Sequence, residues 1–230
     1  MKNESTGLSK YAFSASLIFI ALIYLPVNYF DTLKFDDIDL INRVHSTHQT
    51  FSWYEIFLEK NAVQYYRPLL EILSHLDYSL WGLSAAAWHL TNYILHILNA
   101  ILVYLIASRW FSNEKMKSAL ASMAMLFFAL NPMTCESVAW ISGRSDLAGT
   151  FFSLFAIWGY FLKSRIRFFV VPTAILAGLL CKENALAVIP LIVLINMLSG
   201  LINKRSQKLI WRECLIWSGI VLIPLFVYIS

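Results

Sequence analysis

Seven long apolar runs constrain this chain more than any other feature. They lie at about residues 12–30, 85–108, 118–131, 147–162, 168–181, 185–201 and 214–229. A helix needs about 20 apolar residues to cross a hydrocarbon core about 30 Å thick. Of the 230 residues, 59% are hydrophobic and 14% are charged, against about 25% charged in soluble domains. Because helices satisfy their own backbone hydrogen bonds in lipid, we predict an all-α, polytopic transmembrane helical bundle with about seven spans.

The basic residues are distributed unevenly between the loops. With the N-terminus placed in the cytoplasm, the loops on that side hold twelve of the eighteen Lys and Arg residues. Short cytoplasmic loops of membrane proteins carry such an excess, so we predict a cytoplasmic N-terminus. This orientation accounts for the net charge of +4. The sequence has no glycine-rich phosphate loop, zinc-type Cys and His spacing or aromatic-basic RNA surface, so we expect no nucleic-acid partner.

The chain is organised as a single membrane module, residues 1–230, in which residues 31–84 form the first extracytoplasmic loop. Two stretches of this loop, TFSWYEIFLEK and PLLEILSHLDYSLWGL, place their apolar side chains on one helical face. The pattern predicts two interfacial helices, the second beginning at Pro68. The first apolar run ends without a small-residue cleavage site, which indicates an uncleaved anchor.

Polar residues gather at the predicted outer ends of the spans. Residues 35–41 read FDDIDLI, and adjacent carboxylates repel one another unless water, a cation or a proton relieves them. This run is therefore either a solvated loop or a site. On the second span, His89, Asn92 and His96 share one helical face. The other candidates are Arg67, Glu136, Arg144, Asp146, Lys182 and Glu183.

Such a mixture suits an anionic lipid headgroup and a proton transfer, because Arg and Lys bind phosphate and Asp can act as a base. Each group also has a structural alternative. The aspartates are then an ordinary acidic loop, and the two histidines hydrogen-bond between helices. Arg144 and Asp146 would form a salt bridge, while Lys182 and Glu183 would extend to the membrane surface.

Several motifs occur together in a specific order. YYRPLL, HLTNYILH, ESVAWISGRSDL and CKEN follow one another between about residues 20 and 195. In this order they resemble the N-terminal half of the membrane protein O-mannosyltransferase-like family, which belongs to the GT-C glycosyltransferases. In that family transmembrane helices precede tetratricopeptide repeats. The sequence ends at Ser230 without such repeats, so we expect a GT-C-like bundle that is truncated.

The resemblance implies an integral membrane glycosyltransferase acting in protein glycosylation. Such an enzyme takes a sugar, mannose in the family, from a polyprenyl or dolichyl phosphate carrier in the membrane lipid. It passes the sugar to a hydroxyl of a protein or glycan acceptor on the outer face. The family's distribution favours a bacterial inner membrane over the endoplasmic reticulum.

The resemblance also assigns roles to particular residues. The acidic pair at the reacting centre matches Asp36 and Asp37, one as the general base and the other orienting the acceptor hydroxyl or binding a cation. The basic residues that would neutralise the departing phosphate are Arg67, Arg144 and Lys182. The acidic residues that would hold these cations or contact sugar hydroxyls are Glu136, Asp146 and Glu183.

Two other function classes stay open on the sequence. A transporter or flippase for a lipid-linked or anionic solute would use the same cations without a base. A noncatalytic, truncated membrane module would use none of them. The sequence assigns no certain cofactor, and a divalent metal is left open because aspartates are the hard oxygen ligands that such ions accept.

Overall fold

The structure, a computed structural model, describes residues 4–32, 36–52, 54–57, 66–111 and 116–229. Every regular element in these ranges is helical, which confirms the all-α class. The α-helices are α1 (Glu4–Tyr24), α2 (Asp36–Thr47), α3 (Pro68–Trp81), α4 (Ala85–Trp110), α5 (Lys117–Ala129), α6 (Pro132–Ala139), α7 (Arg144–Tyr160), α8 (Arg167–Leu179), α9 (Val188–Ile202) and α10 (Gln207–Ile229). Short 3₁₀ turns occupy Leu25–Tyr29, His48–Thr50, Glu55–Phe57, Ile141–Gly143 and Glu183–Ala187.

The acidic run after the first apolar segment starts a helix. Helix α2 begins at Asp36, and its first turn also holds Asp37 and Asp39. Free backbone N–H groups at a helix N-terminus stabilise each nearby carboxylate by about 0.3–1 kcal/mol. The helix start therefore offsets part of the repulsion between the aspartates.

In the predicted first outer loop, α2 and α3 are the α-helices of the described residues. Helix α3 begins at Pro68, where the sequence placed a helix start. In TFSWYEIFLEK, Thr50 ends the 3₁₀ turn His48–Thr50 and Glu55–Phe57 form another, while Trp53 and residues 58–60 lie outside the described residues. An interfacial position for these helices stays a prediction.

Helix α4 lies at the centre of the bundle. It packs against α1, α5 and α7, while α7 packs against α8, and α10 against α8 and α9. A smaller apolar cluster of Ile41, Val44, Trp88 and Ile141 joins α2 to α4 and to the 3₁₀ turn Ile141–Gly143. This cluster fixes α2 against the end of the bundle.

The polar face of α4 contacts backbone carbonyl groups. The side chains of His89, Asn92 and His96 are fully buried, and their ring or amide nitrogens lie 2.8–3.4 Å from carbonyl oxygens. These carbonyls belong to Asp31, Ala129, Trp140 and Ile141. They sit at helix ends and breaks, where no backbone donor of the same helix is available. These contacts match the structural alternative that the sequence left open for the two histidines, and Asn92 makes contacts of the same kind.

Seven membrane spans are not confirmed. Among the described residues, Tyr11–Tyr29, Ala85–Trp110 and Glu183–Ile202 are long and apolar enough to cross a membrane. Helices α5 and α6 would add a fourth span if they count as one, although they are bent by 60°. Asn131 and Pro132 cause this break, since the Asn131 side chain caps α6 and Pro132 follows as its first residue. Helices α7 and α8, of 17 and 13 residues, are shorter than the usual span of about 20.

Candidate functional site

One face of α2 opens onto a cavity of about 410 Å³, which we call the polar pocket. Asp36, Asp39, Leu40 and Arg43 line it from this helix. These positions follow the i, i+3, i+4, i+7 spacing of a single helical face. The volume falls within the roughly 300–1,000 Å³ of small-molecule sites. The acidic run is therefore a wall of a cavity.

The other walls of the polar pocket come from distant parts of the chain. Arg67 and Glu71 contribute from the start of α3, Trp140 and Ser142 from the segment before α7, and Lys182 from the segment after α8. Arg144 and Asp146 complete the lining from the first turn of α7. The pocket thus brings together residues from 36 to 182.

Ion pairs hold the cations of the polar pocket. Lys182 Nζ lies 2.5 Å from a carboxylate oxygen of Asp146. The Arg67 guanidinium donates two hydrogen bonds to Glu183, at 2.8 and 3.3 Å, and Arg43 pairs with Glu71. The side chains of Arg43, Arg67 and Lys182 are 33%, 19% and 21% exposed, so a ligand in the cavity can reach them.

Arg144 differs from the other cations because its side chain is only 3% exposed. It donates to Asp77 at 2.6 Å and to the carbonyl oxygen of Ile141 at 3.2 Å. Its guanidinium also lies over the Trp88 ring, 4.4 Å from the centroid. Asp77 in turn accepts a hydrogen bond from Thr91 at 3.0 Å. This charge is already compensated, so Arg144 supports the wall of the pocket.

Asp36 and Asp37 point to different surroundings, because neighbouring residues of an α-helix are rotated by about 100°. Asp36 is exposed and lines the polar pocket. Asp37 is fully buried and accepts hydrogen bonds from the backbone N–H groups of Ser142, at 2.8 Å, and Ile141, at 3.3 Å. Asp37 therefore fixes the turn before α7, and Asp36 is the aspartate that a substrate can approach.

The predicted site residues thus separate into groups. Those that line the polar pocket are Asp36, Arg67, Arg144, Asp146 and Lys182. Glu183 joins them through its pair with Arg67. Those outside the lining are Asp37, His89, Asn92, His96 and Glu136. Glu136 is exposed on α6.

Sequence reasoning missed several lining residues. Arg43, Glu71, Trp140 and Ser142 were not among the candidates, although all four line the polar pocket. The helical spacing of Arg43 from Asp36 and Asp39 could have found the first of them. Glu71 and the two residues before α7 carry no comparable local signal, since only tertiary packing brings them to the cavity.

An apolar groove continues from the polar pocket along α7. A cavity of about 280 Å³ shares Asp146 and Lys182 with the polar pocket. It also shares three apolar residues with a cavity of about 330 Å³ that is lined entirely by apolar residues. The shared residues are Leu154, Ile157 and Leu191. The lining runs from Asp146 to Phe161. Because an α-helix rises 1.5 Å per residue, the groove is about 20 Å long. A polar head and an apolar tail could occupy the two ends.

A metal site needs several His, Cys, Asp or Glu side chains close together. In the parts of the chain that the structure describes, no group of three or more His, Cys, Asp and Glu side chains is arranged to hold a metal ion. Among the described carboxylates of the pocket, Glu71 and Asp146 are in ion pairs, which leaves Asp36 and Asp39, and two ligands alone do not define a site.

The chain is similar to animal proteins named protein O-mannosyl-transferase. It is 33% identical over 147 residues to Tmtc1 of Drosophila melanogaster, covering 62% of this chain and 17% of that protein. It is 29% identical over 201 residues to a Caenorhabditis elegans protein, covering 80% and 28%, and 28% identical over 171 residues to TMTC1 of Homo sapiens, covering 68% and 19%. No family model and no solved structure matches the chain.

These similarities confirm the resemblance carried by the motifs, and the chain is a membrane protein similar to glycosyltransferases. The chain spans less than a third of the length of these curated relatives. All three relatives are animal proteins, so they do not support the expected bacterial inner membrane.

Proposed function

We propose that this chain carries the donor-binding and sugar-transfer site of a membrane glycosyltransferase. In this proposal the polar pocket holds the sugar and phosphate of a polyprenyl or dolichyl phosphate sugar, and a protein or glycan hydroxyl is the acceptor. The observation that carries the proposal is that Asp36, Arg67 and Lys182 line the same cavity. The relatives' name supports mannose as the sugar and a protein as the acceptor.

Asp36 is the general base of the proposed reaction. The acceptor hydroxyl gives its proton to the Asp36 carboxylate as its oxygen forms a bond to the anomeric carbon of the sugar. The bond between that carbon and the phosphate oxygen breaks, and its electron pair stays on the carrier phosphate. Arg67 and Lys182 stabilise the charge gained by the phosphate, as preorganised cations do at many transferase sites.

The paired state of the two cations fits this role. In the structure Arg67 contacts Glu183 and Lys182 contacts Asp146. The carboxylates keep both cations at fixed positions without a bound anion, which lowers the cost of ordering them when phosphate arrives. Both side chains are partly exposed and line the cavity.

The apolar groove supports a lipid carrier over a soluble sugar nucleotide. A polyprenyl chain needs a continuous apolar surface beside its phosphate, and the groove begins at Asp146 and Lys182. With the predicted cytoplasmic N-terminus, the pocket would face the noncytoplasmic side, where the acceptor would be found. No step of the proposed reaction requires a metal, and addition of a chelator tests the divalent ion that the sequence left open.

The test uses the full chain purified and reconstituted in liposomes, with a radiolabelled polyprenyl phosphate mannose as donor and a peptide carrying Ser and Thr hydroxyls as acceptor. We expect release of polyprenyl phosphate, reduced by about 10²–10⁴-fold in Asp36→Asn. Donor binding should change less than about twofold, because the base acts in the transition state. Glu136→Gln is the matched control, since this exposed carboxylate lies outside the pocket lining, and it should keep full turnover.

Two results would contradict the proposal. If Asp36→Asn turns over donor as fast as the original chain, Asp36 is not the base. If the reconstituted chain moves the labelled lipid across the bilayer and forms no glycosidic product, the transporter alternative is correct.

A further inference from the structure

A second cavity lies at the end of the bundle opposite the polar pocket. It has a volume of about 490 Å³, and we call it the basic cleft. Helix α7 has Arg144 of the polar pocket as its first residue and Tyr160 of the basic cleft as its last. At 1.5 Å per residue the two residues are about 24 Å apart along the helix. The basic cleft is therefore a separate site at the other end of the bundle.

The charge of the basic cleft is strongly positive. Its lining holds four basic side chains and one acidic side chain. The basic residues are Lys163, Arg167, Arg205 and Arg212. Arg205 pairs with Glu213, the acidic residue, at 2.7 Å. In this cleft the basic side chains outnumber the carboxylates by three, whereas the polar pocket holds equal numbers of basic and acidic side chains.

The aromatic residues of the basic cleft fix one of these cations. The Arg167 guanidinium lies 4.8 Å from the Phe168 ring centroid and 5.5 Å from that of Trp217. These two rings stack on one another with centroids 5.4 Å apart. A guanidinium held over aromatic faces keeps its N–H edge free for a planar or tetrahedral anion. Arg167 is thus a preorganised donor at the rim.

The inner wall of the basic cleft is polar and ordered. Asn196 is 2% exposed, and its side-chain oxygen accepts a hydrogen bond from the Tyr160 hydroxyl at 2.8 Å. Its amide nitrogen lies 3.4 Å from the sulfur of Cys214. A buried asparagine in a helical bundle usually marks either an interhelical contact or a ligand site, and this one lines a cavity.

The turn that leads into α10 places Arg205 at the cleft. Lys204 has φ of 51°, the left-handed conformation that glycine usually takes after a helix. The N–H of Arg205 then donates to the carbonyl oxygen of Gly200 at 3.0 Å, which completes a Schellman motif at the end of α9. Arg205 is therefore held by a defined turn.

The positive-inside rule accounts for basic residues at this end of the bundle but does not account for their arrangement. To orient the chain in the membrane, this rule requires only that Lys and Arg lie in the short cytoplasmic loops. It does not require a concave wall, a stacked Arg167 or a buried Asn196. Helix dipoles do not supply the attraction either, because α8 and α10 begin here while α7 and α9 end here, so their terminal charges largely cancel.

We propose that the basic cleft binds the phosphate of an anionic phospholipid headgroup in the leaflet opposite the polar pocket. Lys163, Arg167 and Arg212 hold the phosphate, and the apolar lining of Leu209, Ile216 and Trp217 contacts the glycerol and upper acyl region. Basic pockets between membrane helices bind such headgroups in this way. The proposal does not depend on the proposed glycosyltransferase activity.

The test is native mass spectrometry of the purified full chain in detergent, titrated with phosphatidylinositol 4-phosphate and, as a zwitterionic control, phosphatidylcholine. We compare Lys163→Gln/Arg212→Gln with Arg165→Gln/Lys208→Gln. All four residues are exposed, and only the first pair lines the cleft. Each double variant removes one Lys and one Arg, so they share the same net charge.

We expect the cleft variant to bind phosphatidylinositol 4-phosphate about 10- to 30-fold more weakly, at about a tenfold loss or less per charge. The control variant should stay within about twofold of the original chain, and phosphatidylcholine should bind weakly to all. Equal losses in the two variants would overturn the proposal, because the attraction would then be general surface charge. If inorganic phosphate displaces phosphatidylinositol 4-phosphate at equal concentration, the lipid assignment is overturned and a soluble phosphate ligand is indicated. Matching thermal unfolding midpoints verify that both variants are folded.

Discussion

The buried ion pair between Arg144 and Asp77 separates a structural cation from a ligand-binding one. Arg144→Met roughly keeps the length of the side chain but leaves the Asp77 carboxylate buried without its cation, with a hydrogen bond from the Thr91 hydroxyl. Breaking a buried pair by removing one member costs about 3–5 kcal/mol. We therefore expect Arg144→Met to lower the free energy of unfolding by about that amount.

The companion variants make the expectation specific. Asp77→Asn should be costly for the opposite reason, since it leaves the Arg144 cation buried without a counterion. In Asp77→Asn/Arg144→Met no buried charge is left, and we expect the double variant to cost at least about 2 kcal/mol less than the sum of the single costs. Arg205→Met is the matched control, because both members of its pair with Glu213 are partly exposed, at 38% and 31%, and such a pair contributes about 0–1 kcal/mol.

The assay is equilibrium unfolding of the purified full chain in one detergent, with the midpoint temperature as a second measure. A loss of about 3 kcal/mol should lower the midpoint on the order of 10 °C for a chain of this size. If Arg144→Met costs no more than Arg205→Met and the single costs simply add, Asp77 does not hold Arg144. The cation would then be available to the donor phosphate, and its assignment to the wall of the pocket would be wrong.

Three further predictions concern the same end of the bundle. Gly143→Ala should cost about 2–3 kcal/mol, because a Cβ there would lie 2.6 Å from the carbonyl oxygen of Ser137; a midpoint within about 2 °C of the original would contradict this close approach. Asp37→Asn should lower the unfolding midpoint together with turnover, whereas Asp36→Asn should lower turnover alone, and the opposite pattern would exchange their roles. Burial, followed by nearby charges, lowers the pKa of His75 to about 4, so the folded chain keeps it neutral while the unfolded chain protonates it below about pH 6.5. This contribution to the free energy of unfolding should therefore be fully present above about pH 6.5, and up to about 3 kcal/mol should be lost as the pH drops towards about 4. If a His75→Gln variant loses stability equally steeply over this pH range, His75 is not the cause.

Local pattern was sufficient for part of the site. Asp36, Arg67 and Lys182 were found because charged residues next to apolar runs are rare and usually functional, and all three line the polar pocket. The start of α3 at Pro68 followed from the fixed φ of proline. These features depend on a few neighbouring residues, so the sequence carries them directly.

Other assignments depended on which surroundings a side chain faces, and local sequence pattern does not give this. Asp36 and Asp37 are adjacent and chemically identical, yet one lines the pocket and the other is buried against backbone amides. The face of α4 that carries His89 and Asn92 shows the same ambiguity, because its helical spacing fits a ligand site and a row of backbone contacts equally well.

The sequence by itself determined that this chain is a helical membrane protein, where its helices lie approximately, and which charged residues lie next to the apolar runs. Apolar runs and charge counts are properties of the chain, and the bilayer acts on them without reference to tertiary packing. Only the tertiary structure decided which cations are compensated and which face a cavity. That distinction depends on the packing of α3 against α2 and α7. It separates the partly exposed Lys182 from the buried Arg144, although both are basic residues at the same end of the bundle.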